Sequence, residues 1–297
     1  MLYSETRTFT VAVLTSAAVW LGACGDDYQP SRGKSGCVGA TGYSGINING
    51  FDTRIYLPES YSPQQKYPTV VSLPGWVVSH SKQDRVFPLQ KLTGRKGAIL
   101  LVPQSTATHA TGWNLNNPVS GFNTVMKGIT QLTADSSCPG RSLDGSSVDL
   151  SRLVVAGHSA GARAAYMIAA GRPDHQPAGV LAFGGDGSGA DLTGGSRRFE
   201  NPARPTFLIH IHGDRDGLVN YNGGKRTFES YVRSNQCSGT DQQRSGRYTL
   251  FQGRSCSKPT SMFSINGGGH EANLEQLGVL EPALDKMMEN LGAGGAG

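Results

Sequence analysis

The chain has 297 residues, 37% of them apolar and 16% charged, which suits a globular protein with one large core and excludes wholesale disorder. Its 41 glycines are about twice the usual share and lack the three-residue period of collagen, so they predict many turns and loops. The net charge is +5, but the 27 basic residues are interleaved with 22 acidic ones and form no basic helix. Nucleic acid is therefore not an expected partner.

The N-terminal segment indicates export. Residues 9–23 form an uncharged, mostly apolar run that is too short to span a bilayer permanently but has the length of a signal-peptide core. The run ends with the sequence LGAC at 21–24, which resembles the bacterial lipobox, in which the cysteine is lipidated. We expect a lipoprotein-type signal peptide over 1–23 and a membrane anchor through a lipid on Cys24. An ordinary secretory peptide, which would give a periplasmic or extracellular protein, is the alternative.

The five cysteines support export. If Cys24 is lipidated, the other four can form two disulfides, and counting alone leaves three connectivities open. Cys237 and Cys256 flank a polar, hairpin-like stretch, so we favour a bridge between them, and Cys37 with Cys138 follows by elimination. No pair of cysteines has the C-x2-C or C-x4-C spacing of a zinc site, so we expect no metal.

Extended and helical segments alternate along the rest of the chain. The extended segments are 53–57, 69–73, 98–102, 153–157, 180–184, 206–212 and 261–265. The helix-like segments are 82–96, 121–134, 160–170, 224–234 and 271–291. Several extended segments are continuous β-branched and aliphatic runs, as in strands buried on both faces of a parallel sheet.

This alternation predicts the α/β fold class and the domain organisation. We expect a doubly wound, mostly parallel sheet flanked by helices, in a single domain over 46–291. The Ser- and Gly-rich segment before it predicts a flexible tether over 24–45, and the glycine-rich end predicts a disordered tail over 292–297.

A motif for a nucleophilic serine lies between a predicted strand and a predicted helix. Residues 157–161 read Gly-His-Ser-Ala-Gly, the G-x-S-x-G pattern in the strand–turn–helix context that it requires. A strained turn at the end of the strand would present the Ser159 hydroxyl above the sheet. The first amides of the helix, above all that of Ala160, would face developing negative charge. Ser159 is therefore our candidate nucleophile, and a buried turn without a catalytic role is the alternative.

A serine nucleophile needs a base and an acid that orients the base, in the chain order Ser, Asp or Glu, His. The strand at 206–212 runs into the sequence GDRDG, where Asp214 and Asp216 both qualify by position. The strand at 261–265 runs into a glycine loop that carries His270 at the same predicted edge of the sheet. Of the seven histidines, His270 alone follows both the serine and the acids on such a loop, so we expect it to be the base.

Two tryptophan segments are candidates for the rest of the site. The strand at 69–73 leads into a tight turn, and we expect the Trp76 amide there to be the second oxyanion donor beside that of Ala160. The Trp76 indole would then form a wall of the substrate pocket, and a purely structural role as a large hydrophobic plug is the alternative. Trp113 and Asn114 lie in a loop that is suited to substrate binding.

The remaining histidines have weaker signals. His210 and His212 form an H-x-H pattern that metal-dependent amidohydrolases also use, but here it lies late in the chain and lacks companion ligands. We expect His212 to be a structural residue before the acid loop and His158 to pack beneath the site.

Together these motifs resemble those of the α/β-hydrolases of the poly(3-hydroxybutyrate) depolymerase and feruloyl esterase group. The resemblance covers about residues 46–290 and is carried by the segments 103–104, 113–114, 148–152, 157–161, 212–216 and 269–270. In that family the acid of the H-G-x-x-D sequence is catalytic, which would select Asp216 over Asp214. The resemblance implies ester hydrolysis through an acyl-enzyme intermediate, with no metal and no organic cofactor.

The chain departs from this family pattern at three positions. Pro74 stands where the oxyanion loop usually has histidine, Ala162 where the elbow continues with glycine, and Glu271 where an aromatic residue often follows the base. The expected substrates are polyesters or polysaccharides that carry feruloyl or acetyl esters, and the expected protein is a monomer. A serine peptidase of the same fold and a non-catalytic, lipid-tethered binding protein are the alternatives.

Overall fold

The computed structural model describes residues 34–39, 42–76, 78–105, 113, 117–187 and 201–292. The expected signal peptide, the lipidation site Cys24 and the substrate-binding candidate Asn114 lie outside these residues, as do residues 293–297 of the expected tail. Within the described part, no helix combines the length and the apolar character needed to cross a membrane.

One sheet of ten strands runs through the described residues. The strands are β1 (Ser44–Ile48), β2 (Phe51–Tyr56), β3 (Tyr67–Leu73), β4 (Ile99–Ser105), β5 (Val148–His158), β6 (Gly179–Phe183), β7 (Phe207–Gly213), β8 (Gly239–Ser245), β9 (Tyr248–Arg254) and β10 (Thr260–Ile265). Their order across the sheet is β1-β2-β4-β3-β5-β6-β7-β10-β9-β8. The strands from β4 to β10 in this order are parallel, and the pairs β1–β2 and β8–β9 add antiparallel edges. The prediction of a mostly parallel sheet is confirmed.

Helices cover both faces of the sheet. They are α1 (His80–Val86), α2 (Lys91–Arg95), α3 (Pro118–Thr130), α4 (Ala160–Ala170), α5 (Tyr221–Ser234) and α6 (Leu280–Asn290). On one face, α3, α4 and α5 contribute to a single apolar cluster, and α2 and α6 contribute to a second cluster on the other face. Consecutive residues of β5 enter different clusters: Val155 belongs to the first and Val154 to the second. This two-sided burial explains why the strand is a continuous apolar run.

Two predicted helices are shorter than expected. The segment 82–96 divides into α1 and α2 because Phe87, which precedes Pro88, has a non-helical conformation at φ −131° and ψ 78°. A residue before proline is disfavoured in the α conformation, so the helix ends there. The segment 271–291 becomes helical only at α6, since Gly278 has φ +65°, which a continuous right-handed helix does not allow.

The tether expected over 24–45 is attached to the domain where it is described, which corrects that prediction. Ser35 is buried, and its hydroxyl donates to the Leu143 carbonyl at 3.0 Å. A disulfide joins Cys37 to Cys138. β1 then begins before the expected start of the domain and pairs with β2. A Ser- and Gly-rich composition indicated flexibility, but the long-range disulfide and the added strand hold the segment in place.

The hairpin of β8 and β9 is a second addition to the predicted elements. β8 reads GTDQQRS and its side chains are almost all exposed, so no apolar alternation marks it as a strand. The Cys237–Cys256 disulfide joins the residues that flank this hairpin. Both disulfides therefore have the pairing that the sequence favoured.

Candidate active site

The turn at Ser159 has the geometry of a nucleophile elbow. Ser159 has φ 57° and ψ −120°, a strained conformation for a residue with a side chain, and it lies between the last residue of β5 and the first of α4. Its amide donates to the Phe183 carbonyl at 2.9 Å, which ties the turn to the end of β6. The hydroxyl therefore lies at the end of the strand, where the Ala160 amide opens the helix.

Two glycines of the motif let strand, helix and a neighbouring turn approach one another. A Cβ at Gly161 would overlap the carbonyl oxygen of Leu73, and a Cβ at Gly157 would overlap the backbone of Gly161. The end of β3 and the turn after it therefore pack directly against the elbow. This arrangement brings the turn that contains Trp76 beside the candidate nucleophile.

The Asp216 carboxylate is fully buried, and both of its oxygens accept hydrogen bonds. Oδ1 accepts from the amides of Leu218 and Val219, each at 2.8 Å, and Oδ2 accepts from His270 Nδ1 at 2.7 Å. Burial alone would raise the pKa of Asp216, but the hydrogen bonds from Val219, His270 and Leu218 outweigh it and lower that pKa. Because an ionised carboxylate only accepts, a neutral His270 carries its proton on Nδ1 and leaves Nε2 able to accept one.

Asp214 has a different place in the same loop. Its Oδ1 accepts from the Gly267 amide at 2.7 Å, so it links the acid loop to the loop that carries His270. The structure thus brings Asp216, rather than Asp214, into contact with the imidazole.

His158 packs beneath His270, where the sequence predicts it. It is 1% exposed, its Nε2 lies 3.0 Å from the His270 carbonyl oxygen, and the two ring centroids are 4.8 Å apart. Burial lowers the pKa of His158 to about 4, so the ring is neutral at pH 7 and its Nε2–H donates to that carbonyl. His158 therefore holds the backbone of His270 without adding a positive charge beside it.

Ser159 and His270 line one cleft of about 470 Å³. The other lining residues are Trp76, Val78, Lys82, His158, Ala160, Arg163, Asp186, Leu218, Val219 and Glu271. Among the described residues, Trp76 and Leu218 are the large apolar side chains that stay exposed, at 57% and 80%. Both lie in this cleft, so its wall offers apolar surface next to the hydroxyl and the imidazole.

Several cleft residues were not predicted to belong to the site. Lys82 Nζ lies 2.7 Å from Glu271 Oε1, and this contact lowers the pKa of Glu271. The carboxylate that directly follows His270 thus forms an ion pair at the cleft. Leu218 had a weak signal in the sequence, since it is an apolar residue directly after the polar acid loop. Lys82 had none, because its position in the cleft depends on how α1 packs.

Trp113 is a core residue and does not line the cleft, which corrects its prediction as a substrate contact. It is 2% exposed, and its ring centroid lies 5.2 Å from that of Phe51. Gly121 of α3 leaves space for the indole, since a Cβ there would lie 3.3 Å from it. The large apolar surface of the ring is therefore buried against β2 and α3.

The described residues contain one group of three possible metal ligands, Cys37, Asp135 and Cys138. Both cysteines are in the disulfide described above, so they offer no thiolate. His210 and His212 have ring nitrogens 3.1 Å apart and hydrogen-bond to each other. These two imidazoles therefore bind one another within the core.

Comparison with known proteins finds relatives among the esterases. The chain is 26% identical to a probable feruloyl esterase C of Aspergillus terreus. The alignment spans 283 residues and covers 91% of this chain and 90% of the relative. The chain is 28% identical over 244 residues to feruloyl esterase C of Emericella nidulans, covering 78% of this chain and 81% of that one. No model of a protein family matches the sequence.

The fold has solved counterparts as well. An acetyl xylan esterase from Aspergillus awamori superimposes with a TM-score of 0.58 at 16% identity, over 83% of this chain and 95% of that one. The chain is a carboxylic ester hydrolase with the α/β-hydrolase fold. The predictions of fold class and of ester hydrolysis for this esterase are thus confirmed.

Proposed function

We propose that the esterase acts through a catalytic triad of Ser159, His270 and Asp216. The observation that carries the proposal is the 2.7 Å hydrogen bond from His270 Nδ1 to Asp216 Oδ2, with Ser159 on the wall of the same cleft. His270 takes the proton of Ser159 as the hydroxyl attacks the ester carbonyl, and Asp216 stabilises the imidazolium. The imidazolium then protonates the leaving alcohol. Water, activated by the same imidazole, releases the acid from the acyl-enzyme.

The oxyanion is bound by the amides of Ala160 and Trp76. Ala160 is the first residue of α4, so its N–H is one of those that a helix leaves without an intrahelical partner. The turn that contains Trp76 packs against the elbow because Gly161, which has no side chain, leaves space for the Leu73 carbonyl just before that turn. Two backbone donors from separate elements then meet at the reacting carbonyl oxygen.

The proposed substrates are feruloyl or acetyl esters on a polysaccharide, or the ester bonds of a polyester. Two relatives are named feruloyl esterases, and a structure of the same fold is an acetyl xylan esterase. Trp76 and Leu218 give the cleft exposed apolar surface, which suits an aromatic or aliphatic acyl group.

The esterase is proposed to act outside the cytoplasm as a monomer. An exported enzyme would encounter polymeric esters outside the cytoplasm. The two disulfides are typical of proteins in oxidising compartments. Lipidation of Cys24 would anchor it to a membrane, and cleavage by an ordinary signal peptidase would release it.

A substrate panel tests the triad and the substrate class together. The protein is assayed with methyl ferulate, p-nitrophenyl acetate, a 3-hydroxybutyrate oligomer and peptide p-nitroanilides. Ser159→Ala is expected to lose about 10^4-fold or more in kcat. Ser146→Ala should match the wild type, because the exposed Ser146 hydroxyl donates to Asp144 just before β5, at the opposite end of that strand from Ser159. Full ester hydrolysis by Ser159→Ala would refute the triad, and faster cleavage of the anilides would favour the peptidase.

A further inference from the structure

Three buried polar side chains lie behind Asp216 and take no part in the proposed chemistry. They are Tyr166, His210 and His212, called here the Tyr-His-His array, and each is 0% exposed. The Tyr166 hydroxyl lies 2.5 Å from His210 Nδ1, and His210 Nε2 lies 3.1 Å from His212 Nδ1. On its far side, His212 Nε2 lies 3.1 Å from the Val219 carbonyl oxygen and 3.3 Å from Asp216 Oδ2. A continuous line of polar contacts therefore leads from the core to the acid.

The protons of the array have one consistent arrangement when both rings are neutral. The Val219 carbonyl and the Asp216 carboxylate only accept, so His212 carries its proton on Nε2. Its Nδ1 then accepts from His210 Nε2–H, and His210 Nδ1 accepts from the Tyr166 hydroxyl. Burial lowers the pKa of both imidazoles and raises the pKa of Tyr166, so all three groups are neutral at pH 7.

The array joins the two elements that carry the proposed nucleophile and acid. Tyr166 belongs to α4, which begins directly after Ser159, and both histidines belong to β7, which leads into the loop of Asp216. Helix α5 packs directly on the two imidazole rings at Gly224. A Cβ at this position would overlap a nitrogen of each ring. The glycine thus lets the helix cover the bond between the histidines and keep water from it.

His212 acts on the acid loop at two points. It donates to the Val219 carbonyl, and the amide of that same residue donates to Asp216 Oδ1 at 2.8 Å. Its Nε2 also faces Asp216 Oδ2, the oxygen that accepts from His270. A shift of His212 would therefore move both the backbone that holds the carboxylate and the oxygen that orients the imidazole.

We propose that His212 is a positioning residue for the acid of the triad, and that Tyr166 and His210 hold it in the Nε2–H tautomer. This inference rests on the proposed function, since it assigns a role to a residue that supports Asp216. Each single replacement in the array leaves a buried polar group of its neighbour without a partner and so also lowers stability. Turnover is therefore compared at a temperature at which urea titrations show every variant to be folded.

NMR of the wild-type protein with 15N-labelled histidine tests the proton arrangement directly. The titratable groups that face His212 are His210, Asp216, His270, Asp186 and Tyr221. His210 and His212 are expected to be neutral at pH 7, with the proton on Nε2, because burial lowers the pKa of both rings. An Nδ1–H tautomer of His212, or protonation of either ring at pH 7, would overturn the proposal.

Two variants of His212 separate orientation from packing. His212→Phe fills the same space without either nitrogen, and kcat on an ester is expected to fall about 100-fold with little change in KM, as for an acid displaced by about 1 Å. His212→Gln retains an amide that can donate to the Val219 carbonyl, and it should recover most of that loss. A wild-type kcat in His212→Phe, or equal losses in both variants, would contradict a positioning role.

Tyr166→Phe and Tyr231→Phe form a matched pair within the same core. Both tyrosines are fully buried, but the Tyr231 hydroxyl has no hydrogen-bond partner among the described residues. Tyr166→Phe is expected to lower kcat about fivefold, as for the loss of one hydrogen bond, while Tyr231→Phe leaves kcat unchanged. Equal kcat in the two variants would overturn the role of the array.

Failure of the triad and failure of this inference give different results. If the triad is wrong, Ser159→Ala keeps its ester hydrolysis. If only the positioning role is wrong, Ser159→Ala is inactive while His212→Phe turns over like the wild type.

Discussion

Replacing Asp216 by asparagine should abolish almost all turnover, whereas the same change at Asp214 should not. In Asp216→Asn, the amide oxygen can still accept the two backbone N–H groups that bond Oδ1 now. The amide nitrogen then presents a donor to His270 Nδ1, so the imidazole must carry its proton on Nε2. In that tautomer the imidazole cannot take the proton of Ser159.

The expected loss in Asp216→Asn is about 10^4-fold in kcat, or about 5 kcal/mol of transition-state stabilisation. Asp214 bonds only the Gly267 amide among the contacts described above, at 2.7 Å, and an asparagine there keeps an acceptor oxygen. We therefore expect kcat of Asp214→Asn to stay within about threefold of the wild type.

Both variants are assayed at saturating p-nitrophenyl ester, and urea midpoints check that they fold equally well. The reasoning is refuted if Asp216→Asn keeps most of its turnover. It is refuted equally if Asp214→Asn loses as much as Asp216→Asn does.

Three further predictions concern pH, specificity and the disulfides. Burial lowers the pKa of His158 from 6.5 to about 4, so the free energy of unfolding should rise with pH between these values and level off above them. His158→Gln should remove about 3 kcal/mol of that rise in urea titrations, and an unchanged rise would contradict this. Leu218→Ser should raise KM several-fold for methyl ferulate and leave KM for an acetyl ester unchanged, because the exposed Leu218 side chain is expected to contact the larger acyl group. Equal changes in KM for the two esters would contradict that contact. A disulfide that closes a longer loop restricts the unfolded chain more, and the sequence separations are 101 for Cys37–Cys138 and 19 for Cys237–Cys256. Replacing both cysteines of a bridge by serine should therefore lower the free energy of unfolding by about 5 kcal/mol for the first bridge and about 3 kcal/mol for the second. Equal losses in denaturant titrations would contradict this dependence on loop length.

The centre of the fold could be predicted because its sequence signals are local. β5 is a continuous apolar run, since both its faces are buried, and it passes directly into the glycine-flanked turn of Ser159. The acid and the imidazole follow the ends of β7 and β10, which are adjacent parallel strands. Their carboxyl ends therefore meet at one edge, so chain order placed both Asp214 and Asp216 near His270, and the resemblance to the esterase group selected Asp216.

Features that depend on distant partners could not be predicted in the same way. The loop sequence around Trp113 predicts a substrate contact, but a long-range contact with Phe51 buries the indole. The two-residue spacing of His210 and His212 puts both rings on one side of β7, yet their partner Tyr166 comes from a helix that no local pattern links to them. The polar strand β8 has no core-facing side, so it has no apolar period either.

Intact-mass and peptide mass spectrometry after treatment with a fluorophosphonate tests the central claim most directly. The reagent bonds to a serine oxygen only where a base and an oxyanion site activate it. We expect one adduct per chain, located on Ser159, with loss of ester hydrolysis in proportion to labelling. An adduct on another residue that abolishes activity, or complete activity with Ser159 fully modified, would contradict the account.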